Sequence, residues 1–428
     1  MRTYVISPAM SPSGAVDWAH GTWVGSLDVS DWDTADLELT YCDGYAKARL
    51  LVRSGQTPLG FVEVGVDGGR VSGDELHAAI SALPRRSPSV RASSEPPISV
   101  VVCSRDRPEA LRSVLTSLLE LKYPAYEVVV VDNASTTNDT VRVVEELSHP
   151  QVRVVSEARP GLSRARNTGI LAATHDVVAF TDDDVVVDSR WLTGLMQGFC
   201  FADDVACVCG MVPSGEIRSY SQAYFDGRVS WARSCTPRVY RLADPPMAQP
   251  LFPFQVGQYG TGANFAIRRS AVLALGGFDE ALGVGSPTRG GEDIDMFVRV
   301  LIAGHALVYQ PSAVVWHRHR AELGALHTQI AGYGLGLGAW ITKLLLDRRT
   351  APMVLARARR GWAHARRMTR VVVDDVEEAQ ASGLRRTELV AAARGPLAYL
   401  VARLSGARHQ PLLAPARNAL GPTGRRFS

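Results

Sequence analysis

The stretch VVAFTDDD, residues Val177–Asp184, indicates both the fold and the chemistry to expect of this chain. Apolar, strand-forming residues lead almost directly into three consecutive aspartates. Buried parallel strands of α/β proteins keep their ligand-binding groups at their carboxyl ends, so the pattern predicts a buried strand that opens onto a binding site. Three adjacent carboxylates raise one another's pKa unless positive charge lies among them. The stretch therefore predicts a bound cation.

Two interpretations of the aspartates follow from this stretch alone. Asp182 and Asp184 stand two residues apart and can direct oxygens to one hard cation such as Mg²⁺ or Mn²⁺, which readily bridges phosphates. Alternatively, the run is a solvated acidic turn that caps the next helix, with Asp184 or Asp188 near the helix N-terminus. The rest of the sequence has to decide between them.

The composition is that of an ordinary globular protein. The 428 residues are 46% hydrophobic and 21% charged, which allows two or three domains. The charge is unevenly distributed, because residues 343–428 contain 17 Lys/Arg and 6 Asp/Glu, a net charge of +11. Residues 1–342 contain 29 Lys/Arg and 37 Asp/Glu, a net charge of −8. We expect the acidic body and the basic C-terminal region to have different roles.

The cysteine pattern and the absence of a targeting pattern indicate a compartment. Six cysteines in mostly apolar sequence are typical of reduced core thiols in a cytosolic protein, and no Cys/His cluster completes a zinc site. The N-terminus lacks a secretory signal pattern, and the most apolar run, Ile330–Leu346, has only 17 residues and four glycines. We expect a cytoplasmic protein, soluble or peripheral at the inner face of the cell membrane.

Residues 1–83 predict a small, β-rich accessory domain. Short antiparallel strands are expected at Leu37–Tyr41, Ala48–Arg53 and Gly60–Val64. A short helix follows, with Asp74 as its N-cap. Residues 84–97 are rich in Pro, Ser and Arg and predict a linker.

Residues 98–320 alternate between buried strands and helices. Strands are predicted at Ile98–Cys103, Glu127–Val131 and Val152–Val155 before the strand that carries the aspartates. Polar residues follow the carboxyl ends of these strands, which is typical of a doubly wound sheet with a nucleotide crevice at its switch point. No G-x-G-x-x-G follows the first strand and no P-loop motif is present, which argues against a dinucleotide oxidoreductase and a P-loop NTPase.

Five motifs in this order resemble the family 2 inverting glycosyltransferases of GT-A fold. They are ISVVVCSRDRP with EVVVVDNAS (from Ile98), PGLSRARNTG (Pro160–Gly169), TDDD (Thr181–Asp184), GTGANFAIRR (Gly260–Arg269) and GEDIDMFVR (Gly291–Arg299). The resemblance covers roughly residues 98–320. It implies an α/β catalytic domain with a doubly wound mixed sheet of the nucleotide-diphospho-sugar transferase type.

The resemblance implies that the loops after the first two strands hold the nucleotide. Asp132 would accept a hydrogen bond from a base N–H, the alternative being a turn-forming aspartate. Ser104 and Asp106 are secondary candidates, since either also suits helix capping. Arg166 is expected to face the diphosphate and Asn167 to hydrogen-bond near the acidic motif, the alternative being a solvated helix face.

The resemblance gives the three aspartates a role in binding the donor. Asp184 would hold a divalent metal, Mn²⁺ or Mg²⁺, that bridges both phosphates, while Asp182 would face the sugar or ribose and Asp183 would belong to the same donor-binding group. His317 ends a later predicted strand and is preferred as the second metal ligand over His319, which lies two residues further on.

The acceptor side is predicted from the GEDIDMFVR motif. Transfer with inversion needs one base to take the proton of the acceptor hydroxyl, and Asp293 matches the family's base. Glu292 is expected to position the acceptor, and Asp295 to be structural. The alternative is that these acids only favour a helix N-terminus. The preceding segment, Gly283–Gly291, has the composition of a mobile lid.

Residues 321–428 predict a helical, basic C-terminal region. The alternating glycines of Gly332–Gly338 suit close helix packing better than phosphate binding, because no strand precedes them. An arginine-rich helical stretch is expected after Arg357. The basic region either holds the protein near an anionic membrane surface or packs on the catalytic domain as a solvated bundle.

The sequence thus predicts a metal-dependent inverting glycosyltransferase that uses a nucleotide-diphospho-sugar and an acceptor hydroxyl. Cell-envelope glycan or glycoconjugate biosynthesis is the expected setting, with a glycan, lipid-linked or small-molecule acceptor and no nucleic-acid partner. The alternatives are a nucleotidyltransferase and a non-catalytic nucleotide-sugar-binding protein. A nucleotidyltransferase would need a Gly-rich basic loop after the first strand, and a pure binder would need no base.

Overall fold

The computed structural model describes residues 3–84, 95–228, 234–357 and 378–406. Most of the predicted linker, residues 84–97, lies outside these ranges, as does the arginine-rich stretch predicted after Arg357.

The strands and helices of the described residues are as follows. The strands are β1 (Tyr4–Ile6), β2 (Thr22–Asp28), β3 (Leu37–Leu39), β4 (Lys47–Ser54), β5 (Thr57–Gly65), β6 (Arg70–Val71), β7 (Ile98–Ser104), β8 (Tyr126–Asn133), β9 (Val152–Glu157), β10 (Val177–Thr181), β11 (Val185–Val187), β12 (Val205–Met211), β13 (Arg238–Tyr240), β14 (Asn264–Arg268) and β15 (Ala306–His317). The helices are α1 (Gly73–Ser81), α2 (Pro108–Leu119), α3 (Asp139–Leu147), α4 (Leu162–Ala172), α5 (Trp191–Phe199), α6 (Tyr220–Arg228), α7 (Arg269–Ala274), α8 (Glu292–Ile302), α9 (Leu323–Leu346) and α10 (Glu378–Leu404).

The N-terminal unit, residues 3–84, folds around a core of its own that includes Leu50. In one of its sheets β2 runs parallel and β5 antiparallel to β4, and a second sheet contains β1, β3 and β6. The sequence predicted β3, β4, β5 and α1 but missed the other strands. The prediction of Asp74 as N-cap is wrong, because the Ser72 side chain accepts the hydrogen bond from the Glu75 N–H.

The central sheet has nine strands within the described residues, in the order β11-β15-β12-β14-β10-β7-β8-β9 with β13 beside β15. The four strands β10, β7, β8 and β9 are parallel neighbours, and β14 runs antiparallel to β10 and β12. Val129 packs with residues of α4 and Val130 with residues of α2 on the opposite face, so the valine-rich strands are covered on both sides. The predicted doubly wound mixed sheet is confirmed.

Strand pairing brings the polar strand ends to one edge of the sheet. Ser104 at the end of β7 lies in register with Asp132 on β8. Val185, the first residue of β11, lies in register with His317, the last residue of β15. Because the three aspartates connect β10 to β11, sheet pairing fixes both ends of the acidic segment.

The N-terminal unit packs directly against the central sheet. A shared apolar cluster, the interface cluster, contains Met10, Val24 and Leu51 from the first unit and Met211, Ile217, Val314 and Trp316 from the second. Arg49 on β4 makes a salt bridge of 2.6 Å to Asp226 on α6, whose side chain is 6% exposed. The unit predicted as an accessory domain therefore shares a core with the rest of the chain.

Helices α9 and α10 pack closely because the glycines of α9 leave room. A Cβ added to Gly334 or Gly338 would lie 2.3 Å or 2.1 Å from a backbone oxygen of α10, and one added to Gly336 would lie 2.7 Å from the backbone of Gly290. The predicted packing role of these glycines is confirmed. Among the described residues, no helix is long and apolar enough to cross a bilayer.

The segment Gly283–Gly291, predicted as a mobile lid, is held in place by its contacts. The Gly283 N–H donates to the Gly290 carbonyl at 3.1 Å, and the buried Thr288 hydroxyl donates to the Ala281 carbonyl at 3.0 Å. Its glycines allow tight turns and a close approach to α9, so the structure gives the segment a packing role instead.

Candidate active site

Two carboxylates and one imidazole form a group that suits a metal ion. One ligand atom each from Asp182, Asp184 and His317 lies within 4.8 Å of the other two, and we call these residues the donor triad. The His317 Nε2 is 3.3 Å from the Asp184 Oδ1. His319 is not in the donor triad; its buried ring packs against Phe225 at a centroid distance of 4.3 Å.

The electrostatics and donor chemistry of the triad fit a divalent cation. Burial would raise the pKa of the Asp184 carboxyl, but His317 and Arg107 lower this pKa below its usual range. Burial would lower the pKa of His317, and Asp184 raises it above its ordinary value. The His317 Nδ1 is buried and has no hydrogen-bond partner within the described residues. Carboxylate oxygens with one imidazole are a donor set that Mn²⁺ accepts.

Asp183 points away from the donor triad into a buried network. Its carboxylate accepts a hydrogen bond of 2.8 Å from the Ser104 hydroxyl and pairs with Arg107. Burial raises the pKa of Asp183 to about 6, against the opposing charge of Arg107. Asp183 and Ser104 were both predicted to bind the donor, whereas the structure shows them binding each other.

Two arginines that the sequence did not single out reach the acidic segment. Arg107 Nη2 lies 3.0 Å from Asp184 Oδ2, and Arg320 Nη2 lies 3.6 Å from the same oxygen. Arg107 is the N-cap residue of α2, without a side-chain capping bond. Two features of the sequence could have indicated these arginines. They are the motif SRDRP, which contains Arg107, and the run His317–Arg320, which ends in Arg320.

Arg166 and Glu292 form a buried ion pair between α4 and α8. Their closest atoms are 2.9 Å apart, and the residues are 2% and 5% exposed. Arg166 also lies 3.6 Å from Asp182. Burial, with the nearby charge of Asp293, raises the pKa of Glu292 to about 7. Arg166 and Glu292 are buried against each other, and the expected contacts of Arg166 with the diphosphate and of Glu292 with the acceptor stay predictions.

Asp293 is half-buried at the N-terminus of α8 and accepts a hydrogen bond of 2.8 Å from the Gly262 N–H. The carbonyl of Gly262 accepts a hydrogen bond of 3.1 Å from Arg166. One residue of the Gly-rich loop before β14, Gly262, thus connects the predicted base to the arginine beside Asp182.

The loops after β7 and β8 are joined to each other. Asp106 has a positive φ of 54°, and its carboxylate accepts hydrogen bonds from the Thr136 N–H at 2.6 Å and the Thr136 hydroxyl at 3.0 Å. Asp132 is partly exposed near the end of β8 and accepts a longer hydrogen bond from the Ser135 N–H. Of these two predicted nucleotide contacts, Asp132 accepts fewer and longer hydrogen bonds from the protein.

Asn167 hydrogen-bonds to the backbone of Phe278, and its expected role near the acidic motif stays a prediction. Its amide donates to the Phe278 carbonyl at 3.0 Å and accepts from the Phe278 N–H at 2.8 Å. Both hydrogen bonds are buried, so the side chain ties α4 to the segment before α8. Asp295, predicted to be structural, is 1% exposed and contacts Arg299 and Lys343, which confirms that prediction.

The mixed sheet and the acidic segment at its carboxyl-end edge define an α/β protein of the GT-A fold class. The sequence model described as "Glycosyl transferase family 2" matches residues 99–276. This part of the chain matches glycosyltransferase family 2, in agreement with the resemblance.

Curated relatives cover part of the chain and part of their own length. "Pre-mycofactocin glycosyltransferase" of Mycobacterium tuberculosis is 32% identical over 266 residues, which are 60% of this chain and 50% of that protein. The chain therefore spans about half the length of these relatives. "Succinoglycan biosynthesis protein ExoM" of Rhizobium meliloti is 29% identical over 51% of this chain and 65% of that protein.

A solved structure with a similar fold is the "Mannosyltransferase PcManGT from Pyrobaculum calidifontis in complex with GDP-Man and Mn2+". It is 20% identical, with a TM-score of 0.48, over 74% of this chain and 81% of that one.

Proposed function

We propose that this chain is a metal-dependent inverting glycosyltransferase that moves a sugar from a nucleotide-diphospho-sugar to an acceptor hydroxyl. The observation that carries the proposal is that Arg166 links the donor triad to the acidic N-terminus of α8. It lies 3.6 Å from Asp182 and 2.9 Å from Glu292. A donor site and a base on separate elements are what a displacement reaction between two substrates requires.

In this proposal the donor triad binds the diphosphate group of the donor through a metal ion. A divalent cation bound by Asp184 and His317, with Asp182 beside them, would supply charge stabilisation for the departing nucleoside diphosphate. Arg107 and Arg320 are 36% and 49% exposed and bring two guanidinium groups beside Asp184. Guanidinium groups pair well with phosphate oxygens, so both arginines are proposed to contact the diphosphate.

Asp293 is proposed as the base. One of its carboxylate oxygens accepts from the Gly262 N–H and the other from the Ile294 N–H, so the carboxylate is held in one orientation. The buried Arg166–Glu292 pair next to it is proposed to hold α8 in place against α4. Asp293 would take the proton of the acceptor hydroxyl as that oxygen attacks the sugar.

The acceptor is proposed from the names of the relatives. ExoM carries the name of succinoglycan biosynthesis, and a protein of Myxococcus xanthus that is 26% identical carries that of O-antigen biosynthesis. We therefore propose a cell-envelope glycan precursor at the cytoplasmic face of the membrane. A pre-mycofactocin acceptor is the second candidate, because the mycobacterial relatives carry that name.

Thermal unfolding with a panel of nucleotide-sugars tests the donor site. A donor that binds the folded chain raises the midpoint by mass action, and we expect this for one nucleotide class only in the presence of Mn²⁺ or Mg²⁺. The same shift in EDTA would remove the metal from the proposal, and no shift with any nucleotide-sugar would contradict the donor assignment.

A further inference from the structure

Helix α10 presents an apolar stripe on the side opposite its packed face. Leu384, Ala391 and Tyr399 are buried, whereas residues about half a turn away are exposed. The exposed stripe contains Leu389, Val390, Leu397, Leu400, Val401 and Leu404, with exposed fractions of 56%, 45%, 67%, 48%, 43% and 87%. At 100° per residue these six positions fall within one third of the helix circumference.

Arginines converge on a groove at one edge of this stripe. The groove has a volume of ≈ 570 Å³, and Arg289, Arg386 and Arg394 line it together with Val390 of the stripe. Within the described residues, none of these three guanidinium groups forms an ion pair. Apolar surface beside unpaired guanidinium groups suits a partner that carries phosphate next to hydrocarbon.

The charge of the chain around α10 favours a lipid surface over a second copy of the protein. Residues 343–428 carry a net charge of +11, and two such regions facing each other would repel. A bilayer with anionic headgroups suits both features of α10. Its phosphates can pair with the arginines, and its acyl region can accept the leucines.

We propose that α10 lies on an anionic lipid bilayer, with its apolar stripe in the acyl boundary and the arginine groove holding a lipid phosphate. The groove wall formed by Pro287 and Arg289 belongs to the segment that leads into Asp293. Membrane contact at this surface would therefore place the acceptor side of the proposed site near the bilayer. The lipid binding itself is independent of the proposed transfer reaction.

Sedimentation of the full-length chain with vesicles tests this surface. We expect binding to vesicles that contain phosphatidylglycerol, weaker binding at high salt, and none to pure phosphatidylcholine. Arg386→Gln with Arg394→Gln should weaken binding about 30-fold, since each cation near an anionic surface contributes about 1 kcal/mol. Leu397→Asn with Leu400→Asn should reduce binding at least as much. All variants alter exposed residues, and their unfolding midpoints are measured to confirm that they fold.

Matched controls lie elsewhere on the surface. Met247→Asn changes a fully exposed apolar residue and Arg70→Gln an exposed arginine of the N-terminal unit, and both should bind like the unmodified chain. Three results would overturn the proposal. They are no binding to phosphatidylglycerol vesicles at low salt, binding that is lost on deleting residues 407–428 but kept in the α10 variants, and a lipid-free dimer that Leu397→Asn dissociates.

Discussion

At the scale of single residues, His317 shows how backbone pairing selects a ligand. His317 and His319 are two residues apart in the same polar run, and composition does not distinguish them. Val185 follows the acidic segment directly and pairs with His317, so the strand register brings that imidazole beside Asp184. The His319 ring lies beside that of His317, at a centroid distance of 4.9 Å, and packs on Phe225. The geometry agrees with the preference for His317, whose role as a metal ligand stays a prediction.

Asp293→Asn should nearly abolish sugar transfer and leave donor binding intact. The substitution is almost isosteric and can keep the hydrogen bond to one backbone N–H, but it removes the basicity. We expect a loss on the order of 10²–10⁴ in kcat. Turnover is measured with the donor identified by thermal unfolding, and donor affinity is measured by calorimetry. A variant with normal turnover would show that another group takes the proton.

The sequence located the acidic site but not every contact within it. Asp182, Asp184 and Asp293 could be placed because strand ends and helix starts follow from local patterns. Arg107 and Asn167 could not, because their partners, Asp183 and Phe278, lie 76 and 111 residues away in sequence. Such contacts depend on how α2 and α4 dock on the sheet, which local periodicity does not specify.

At the scale of elements, the glycines of α9 determine how the two C-terminal helices pack. Gly338→Ala should destabilise the protein by roughly 1–3 kcal/mol, because the new methyl group would overlap the Ala392 carbonyl oxygen and force the helices apart. Gly324→Ala is the matched control in the same helix, since a Cβ there meets nothing within 4 Å. The control should be neutral or slightly stabilising. Chemical denaturation measures both, and equal effects would contradict the packing account.

Glu127 on β8 connects three neighbouring segments and makes stability depend on pH. Burial would raise its pKa, but hydrogen bonds from Ser99, Thr174 and Arg153 lower the pKa to about 2. A depressed carboxyl pKa adds stability above the unfolded value of about 4.5 and loses it as the pH falls toward 2.

Glu127→Gln should therefore cost about 2–3 kcal/mol near neutral pH and progressively less between pH 4.5 and pH 2. The free energy of unfolding of both proteins is measured across this range. A difference that stays constant with pH would show that charge is not what Glu127 contributes.

Elements that are buried on both faces were the most predictable. The strands β7, β8 and β10 are continuous apolar runs bounded by polar turns, and their type and order follow from that pattern. The strands β1 and β2 were missed. The sequence of β2 is short and contains Gly25 and Ser26, and this strand pairs with β4. Their strand character depends on tertiary pairing more than on local sequence.

At the scale of the whole molecule, the N-terminal unit and the part of the chain that forms the central sheet share the interface cluster. Leu51 is 1% exposed and packs in the cluster that contains Trp316, the residue before His317. The sequence predicted two units by composition but could not show that they dock, because apolar residues on β4 alternate between two different cores.

Leu51→Ala should lower the free energy of unfolding by about 2–5 kcal/mol, since it leaves a cavity in the interface cluster. Val5→Ala is the control, because Val5 is 59% exposed and its truncation should change stability by less than about 0.5 kcal/mol. A near-neutral Leu51→Ala in denaturant unfolding would mean that the two units do not share a core in solution.

The proposed function depends above all on metal-dependent activation of a nucleotide-diphospho-sugar at the donor triad. The most direct test follows nucleoside diphosphate release and the anomeric configuration of the product by NMR, with the matched donor and Mn²⁺. We predict release with inversion that stops in EDTA and in Asp184→Ala, while Asp203→Asn, at an exposed aspartate, behaves like the unmodified chain. Release at an unchanged rate in EDTA or in Asp184→Ala, or a product with retained configuration, would contradict the account.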